Sequence, residues 1–294
     1  MKECVFRGVG TALITPFCER GVDIEAFRRL LRFQMENGVD ALIVAGTTGE
    51  GSTLTEEEFR QLMACALEEA GSRVPIIAGT GSNNTAAAIA RTKLACSLGA
   101  DAVLLVTPYY NKTTQRGLIA HFRAIADEST KPCILYNVPS RTGLNLAPET
   151  LAELADHPRI AGVKEASGNI SQIAKMIRLC GEKITVYSGS DDQTVPILSL
   201  GGAGVISVAS NILPREMCEM CDSWFRGETE KAAKMQIRLL DVMNQLMIET
   251  NPIPVKAACA ALGFGENRVR LPLVPAEEKN AEKLMQMIRE VQEG

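Results

Sequence analysis

Ala102-Val-Leu-Leu-Val-Thr107, Cys133-Ile-Leu-Tyr-Asn137 and Ile160-Ala-Gly-Val-Lys-Glu165 are three short runs, each opening on four or five apolar or glycine residues and closing on polar ones, spaced about thirty residues apart. Each is too short for a stable helix and apolar at consecutive positions, the pattern of a strand buried on both faces. Between the first two, Thr114 to Ser129 carries apolar residues at helical spacing, and between the second and third Pro148 to Ala155 does the same. Working outward, the unit recurs. Val9 to Thr15, Ala41 to Gly46 and Pro75 to Gly79 precede it, and Ile184 to Ser188 and Val205 to Val208 follow. Ile24 to Asn37, Thr55 to Ala70, Thr85 to Leu98, Ser171 to Cys180 and Gln193 to Leu200 are the helical stretches between them.

Eight near-continuous hydrophobic strands alternating with single helices predict a parallel sheet covered on both faces, closed into an α/β (β/α)8 TIM barrel. The competing architecture, a doubly wound open sheet, usually shows Gly-x-Gly-x-x-Gly after its first strand, where this chain has Thr15-Pro16-Phe17. After the eighth strand the chain continues with helical patterns over Pro214 to Phe225, Thr229 to Glu249 and Ala276 to Val291. The expected division is a catalytic barrel over residues 1–225 and a C-terminal helical extension over 226–294. Asn251-Pro-Ile-Pro-Val-Lys256 is expected to be a turn between tail helices, because its prolines interrupt a helix.

Lys and Arg number 31 against 35 Asp and Glu, with no basic cluster to follow a phosphate backbone, so nucleic acid is not an expected partner. No apolar run reaches the roughly 18 residues of a membrane helix, and the N-terminus lacks a signal-peptide pattern. The protein is therefore expected to be soluble and cytoplasmic. Its nine cysteines are scattered through apolar segments, as buried hydrophobes in a reducing compartment would be. Cys218-Glu-Met-Cys221 has a metal-like spacing but no second pair near it, and core packing is the expected role. His121 and His157, the only two histidines, fall in or beside helices and are expected at the surface, which disfavours metal-dependent hydrolysis.

Barrel enzymes carry their sites at the C-terminal ends of the strands. Here those ends are polar: Gly46-Thr-Thr-Gly-Glu50, Thr107-Pro-Tyr-Tyr-Asn111, Tyr136-Asn-Val-Pro-Ser-Arg141 and Lys164-Glu165. Lys164 is placed to face the interior, with Gly162 leaving room beneath it. A lysine is rarely buried unless paired or functional, and burial lowers its pKa toward the neutral amine that attacks a carbonyl. Position alone leaves two readings, a Schiff-base nucleophile or a structural ion-paired lysine. Tyr109, Tyr110, Tyr136 and Tyr187 all lie at or beyond strand ends, as proton shuttles near such a nitrogen or as amphipathic packing at the barrel mouth; Thr47 or Thr48 offers a proton relay and backbone N–H donors. Gly79-Thr-Gly-Ser-Asn-Asn84 reads equally as a phosphate turn or a plain strand-to-helix turn, and Gly201-Gly-Ala-Gly204 precedes strand eight, at the face opposite the site.

The four strand-end motifs, with Val163-Lys-Glu-Ala166, Gly204-Val-Ile-Ser207 and Asn251 to Lys256, closely resemble the dihydrodipicolinate synthase family of pyruvate-dependent class I aldolases, from Val9 to about Pro272. The resemblance implies a lyase of diaminopimelate and lysine biosynthesis that condenses pyruvate with L-aspartate 4-semialdehyde. Lys164 would form the Schiff base, Tyr136 would exchange protons, and Thr47 would connect it to Tyr110, which reaches into a neighbouring subunit. Thr48 and the backbone at Ile206 would hold pyruvate, and Arg141 would bind the second substrate's carboxylate. No cofactor or metal is implied beyond the covalent Schiff base, and a homotetramer of two tight dimers is expected. Sialic acid lyases share the fold, but usually carry Ser-Thr-Gly-Glu from the position of Thr47 and an apolar residue at that of Arg141; a non-catalytic ligand-binding barrel is the alternative of another class. Lysine-inhibited members place imidazoles at the positions of Glu56 and Phe59 and an acid at that of Ala87. Asn83 and Tyr109 match, but an alanine cannot hold an ammonium, so weak or absent lysine feedback is expected.

Overall fold

The computed structural model describes residues 4–293. Eight parallel strands follow one another in sequence order around a closed barrel: β1 (Gly8–Ala12), β2 (Ala41–Val44), β3 (Ile76–Gly79), β4 (Ala102–Val106), β5 (Cys133–Asn137), β6 (Ile160–Glu165), β7 (Thr185–Ser188) and β8 (Gly204–Ser207). The helices are α1 (Ile24–Glu36), α2 (Glu56–Ala70), α3 (Thr85–Leu98), α4 (Gln115–Asp127), α5 (Pro148–Leu154), α6 (Ile170–Cys180), α7 (Thr194–Ser199), α8 (Pro214–Phe225), α9 (Thr229–Gln245), α10 (Ile253–Ala261) and α11 (Glu278–Glu293). The expected (β/α)8 architecture is the one observed, with strand ends displaced by no more than about three residues. Five helices open on a side chain that accepts from the first turn: Asp23, Thr55, Asn84, Thr114 and Asn169. These caps satisfy N–H groups that would otherwise be orphaned where the loops turn into helix. Asn84 closes the Gly79 to Asn84 stretch in this way, so that stretch is a capped strand-to-helix turn.

The chain divides into two compact units, one comprising residues up to Arg7 with Pro75–Ile206, the other Gly8–Val74 with the segment from Ser207 onward. In the first, β3 to β8 are fully or nearly buried, as the consecutive apolar runs require. The β5–β6 register places Tyr136 beside Lys164 and Asn137 beside Glu165, with a shift at Cys133/Ile134, and the β6–β7 register places Lys164 beside Tyr187. In the second, β1 pairs with β2 through Gly10↔Ala41 and Ala12↔Ile43. Asn211 ties β1 down there, its Nδ2 donating to Ala12 O at 2.8 Å and its Oδ1 accepting from Ile14 N at 3.0 Å.

The tail departs from expectation in one element. Residues 251–256 are not a turn throughout, because α10 begins at Ile253. Pro252 caps that helix and Pro254 sits in its first turn, where a missing N–H costs no helical bond, so the prolines start the helix they were expected to interrupt. Among the described residues no helix is long and apolar enough to cross a membrane.

Candidate active site

Lys164 lies one residue from the end of β6 and is 4% exposed. Among the described residues its Nζ makes no ion pair and no hydrogen bond; it stands 4.5 Å from the centroid of the Tyr136 ring. That removes the ion-paired reading. Burial is the largest influence on the amine and lowers its pKa from 10.5 to about 8, with the Arg141 charge acting in the same direction and Asp191 opposing it. Tyr136 is buried as well, and its phenol is pushed up to about 12 by burial, against the pull of Arg141. The pair thus combines an amine that deprotonates near neutrality with a phenol that stays protonated, a nucleophile next to a proton donor.

The glycine that accommodates Lys164 is not the expected one. A β-carbon at Gly162 would lie 3.2 Å from Thr185 O and 3.4 Å from Tyr187 Cε2, so Gly162 clears the neighbouring β7 main chain. A β-carbon at Gly189 would come within 3.0 Å of Lys164 Cγ and 2.8 Å of Ala166 Cβ, and this glycine clears the lysine stem. Tyr187 itself is no rim residue. Its hydroxyl donates to Phe6 O at 2.8 Å and its ring stacks on Phe6, so it belongs to the packing of the N-terminal segment.

Next to Lys164, the Glu165 carboxylate is buried and accepts from Asn137 Nδ2 at 3.0 Å and Ser167 N at 2.8 Å. Asn137 Oδ1 accepts from Leu146 N at 2.9 Å. These bonds fasten the β5 loop, which carries Arg141 on the short helix Pro139–Thr142. Thr107 adds a further tie to that helix, its Oγ1 donating to Thr142 Oγ1 at 3.1 Å. Arg141 is exposed, and a guanidinium held there offers a planar fork to a carboxylate. Tyr110, in the loop after β4, is 91% exposed with φ 67°. Ile206, on β8, has a fully buried side chain, leaving its main chain as its polar contribution.

In the second unit Thr47 and Thr48 sit on the loop after β2, Thr47 exposed and Thr48 buried. The loop's ends are strained: Ala45 and Glu50 have φ of 56° and 51°, and with Tyr110 they are the non-glycine residues at positive φ among those described. Gly51 is obligatory, since a β-carbon there would meet Ala45 O at 2.1 Å. The tail segment holds this loop. Asn251 Nδ2 donates to Thr48 Oγ1 at 3.0 Å, Lys256 Nζ to Glu50 Oε1 at 2.6 Å and Arg270 N to Glu50 Oε2 at 2.9 Å. Lys256 Nζ and the Arg270 guanidinium each lie 4.1 Å from the Phe17 ring centroid, and Arg270 also pairs with Glu58. Lys256 and Glu50 have side chains 0% and 2% exposed. The sequence reading singled out neither this network nor Glu165 and Gly189. A charged residue inside the apolar Asn251 to Cys259 stretch was the available signal.

The histidines correct an expectation. His121 is buried on α4, edge-on to Phe122 with Nδ1 2.9 Å from Thr85 Oγ1, a hydrogen bond that gives one ring nitrogen a partner away from water. His157 is half-buried, its Nε2 3.0 Å from Asp127 Oδ1. Cys218 and Cys221 are both buried on α8. Phe59 is fully buried on α2, Glu56 is exposed and pairs with Arg60, and Ala87 presents an exposed methyl group on α3.

A (β/α)8 barrel whose sixth strand delivers a buried, unpaired amine beside a phenol has the makings of a lysine-dependent aldolase. Comparison with known proteins gives the particular family. The model of the dihydrodipicolinate synthetase family matches residues 5–291. The 4-hydroxy-tetrahydrodipicolinate synthase of Clostridium novyi (strain NT) is 53% identical over 280 residues, 95% of either chain. A crystal structure of dihydrodipicolinate synthase from Thermotoga maritima superposes with a TM-score of 0.96 at 47% identity, covering 98% of this chain and 99% of that one. A crystal structure of the chloride-inhibited dihydrodipicolinate synthase from Acinetobacter baumannii complexed with pyruvate gives 0.95 at 41% identity, covering 97% and 99%. The chain belongs to the dihydrodipicolinate synthetase family, lyases of the class I aldolase type.

Proposed function

We propose that this chain is a 4-hydroxy-tetrahydrodipicolinate synthase acting in diaminopimelate and lysine biosynthesis. The observation that carries the reading is the buried Lys164 amine, without an ion-pair partner, 4.5 Å over the Tyr136 ring. Neutral Nζ attacks the keto carbon of pyruvate; water leaves, and the Schiff base loses a methyl proton to become an enamine. The enamine carbon then bonds to the aldehyde carbon of L-aspartate 4-semialdehyde, whose oxygen takes up a proton, and the substrate's own amine displaces Lys164 as the ring closes. Tyr136 gives and takes the protons, relayed through Thr47 to Tyr110. Thr48 and the Ile206 main chain hold the pyruvate carboxylate, and Arg141 holds that of the semialdehyde. No cofactor or metal takes part beyond the covalent Schiff base.

Borohydride reduction with pyruvate, followed by peptide mapping, tests this. A mass gain matching reduced pyruvate on Lys164 is expected, and a folded protein without adduct refutes the assignment. Tyr136→Phe is expected to lower kcat by about 10²- to 10⁴-fold, the usual contribution of a positioned proton donor, while trapping at equilibrium persists. Because the neutral amine attacks, kcat/KM should rise with pH through about 8 and then level off, since the phenol stays protonated to about 12; a profile flat between about pH 6 and 9 would contradict the amine's role.

The exposed Tyr110 supports the expected homotetramer of two tight dimers, in which it completes a neighbour's site. The cytoplasm is the proposed location. We retain residues 1–225 as the catalytic barrel and 226–294 as the helical extension. Arg141 favours this reading over a sialic acid lyase, and the intact pair of Lys164 and Tyr136 favours it over a non-catalytic barrel. With the Ala87 methyl exposed and Phe59 in the core, lysine is expected to inhibit weakly or not at all; inhibition at micromolar lysine would overturn that.

A further inference from the structure

We infer that Asn251 is a positioning residue that turns the Thr48 hydroxyl into a hydrogen-bond donor toward the pyruvate carboxylate. The inference rests on the proposed role of Thr48 and deepens it. A threonine hydroxyl has one hydrogen to donate and two lone pairs to accept with. An amide nitrogen can only donate, so the 3.0 Å bond from Asn251 Nδ2 to Thr48 Oγ1 makes the hydroxyl the acceptor on that side. Its own hydrogen is left over, in a residue 2% exposed, and no other bond of this hydroxyl exists among the described residues. A buried donor is normally satisfied, and a carboxylate oxygen from a bound substrate is the acceptor that completes it. Had the neighbour been an acceptor, Thr48 would have spent its hydrogen there and met an anion with lone pairs.

The contact is held at two points. Thr48 and Glu50, two residues apart on a loop with strained ends, are met by Asn251 and Lys256, five residues apart across the start of α10. The buried Lys256–Glu50 pair fixes where α10 begins against the loop, and so the distance from Asn251 to Thr48. Asn251 needs no contact with the substrate to act in this way.

The test measures the pyruvate concentration for half-maximal borohydride trapping, alongside KM and kcat, in the full chain. If the wild-type protein forms no adduct, the proposed function itself fails, and this is seen before any variant is compared. Thr48→Val is expected to raise half-saturation by about 10- to 100-fold, as loss of a hydrogen bond to a charged group does, and Thr48→Ser to restore it. Asn251→Ser, too short to reach, should raise half-saturation and pyruvate KM in the same range with a much smaller change in kcat. Asn251→Asp, of the same shape but an acceptor, should do so too, and whichever of the two folds suffices. Combined with Thr48→Val, either should add nothing further, because both act through one hydroxyl. Half-saturation unchanged in a folded Asn251 variant, or single losses that multiply in the double variant, would overturn the inference.

Discussion

Lys164→Met is expected to lose turnover by about 10⁴-fold or more and, at the same time, to melt at a higher temperature than the wild-type protein. The first effect follows from removing the nucleophile, since a covalent route has no substitute for its attacking group. The second follows from the amine's surroundings. Burial holds its pKa near 8 instead of 10.5, so at neutral pH, where folded and unfolded chains both carry the proton, the native state bears a cost of about 3 kcal/mol. Below pH 8 that cost is complete; between about 8 and 10.5 the native state releases its proton first, and stability rises with pH. Methionine has nearly the same length and no charge, so it fills the space against Gly189 and Tyr136 without the penalty. A gain of several degrees is the expected size for a chain of this length. Calorimetry at pH 7 and pH 10 checks both parts: the difference between variant and wild type should shrink at the higher pH. A variant that is inactive and less stable at both would make Lys164 a structural residue.

Strain was visible only after folding, whereas periodicity was visible before it. β4, β5 and β6 could be placed because four or five consecutive apolar residues bounded by polar ones favour a buried strand in an α/β chain, and the polar residues ending each run then marked the functional face. Lys164 and Tyr136 were legible for the same reason: a lysine and a phenol in otherwise aliphatic strands break the pattern that defines the strand. Gly189 was not, because which glycine clears a side chain depends on strand register and tilt. His121 misled, since an imidazole on an amphipathic helix is compatible with either face until packing decides. The prolines of Asn251 to Lys256 misled through local chemistry, as the same residues that break a helix interior also open a helix. The second unit's network lay beyond reach for a different reason. Glu50 lies 206 and 220 residues along the chain from Lys256 and Arg270, and nothing local to Glu50 names either partner. The division of labour is physical: short-range signals report burial and periodicity, and a buried charge reports only that a partner must exist somewhere.

Lys256→Met is expected to cost about 3–5 kcal/mol of stability, more than any uncharged substitution on the surface. The 2.6 Å bond from Nζ to Glu50 Oε1 joins two side chains almost completely removed from water, and loss of the ammonium strands a carboxylate there. Arg270 only partly compensates, because its main-chain N–H already serves Oε2 and its guanidinium is engaged with Glu58 and Thr53 O. Glu50 also has φ of 51°, a conformation a glutamate adopts only where its side chain is held, so the loop carrying Thr48 should loosen along with the fold. The double variant Glu50→Gln/Lys256→Met separates charge from shape. Glutamine keeps a carbonyl oxygen for the Arg270 N–H and leaves no buried charge behind, so it should recover most of the lost stability. Recovery of stability without recovery of pyruvate affinity would show that the ion pair is kept for the loop's geometry. A single Lys256→Met variant melting within about two degrees of wild type would instead mean that the buried ion pair contributes little to stability, and would refute this account of it.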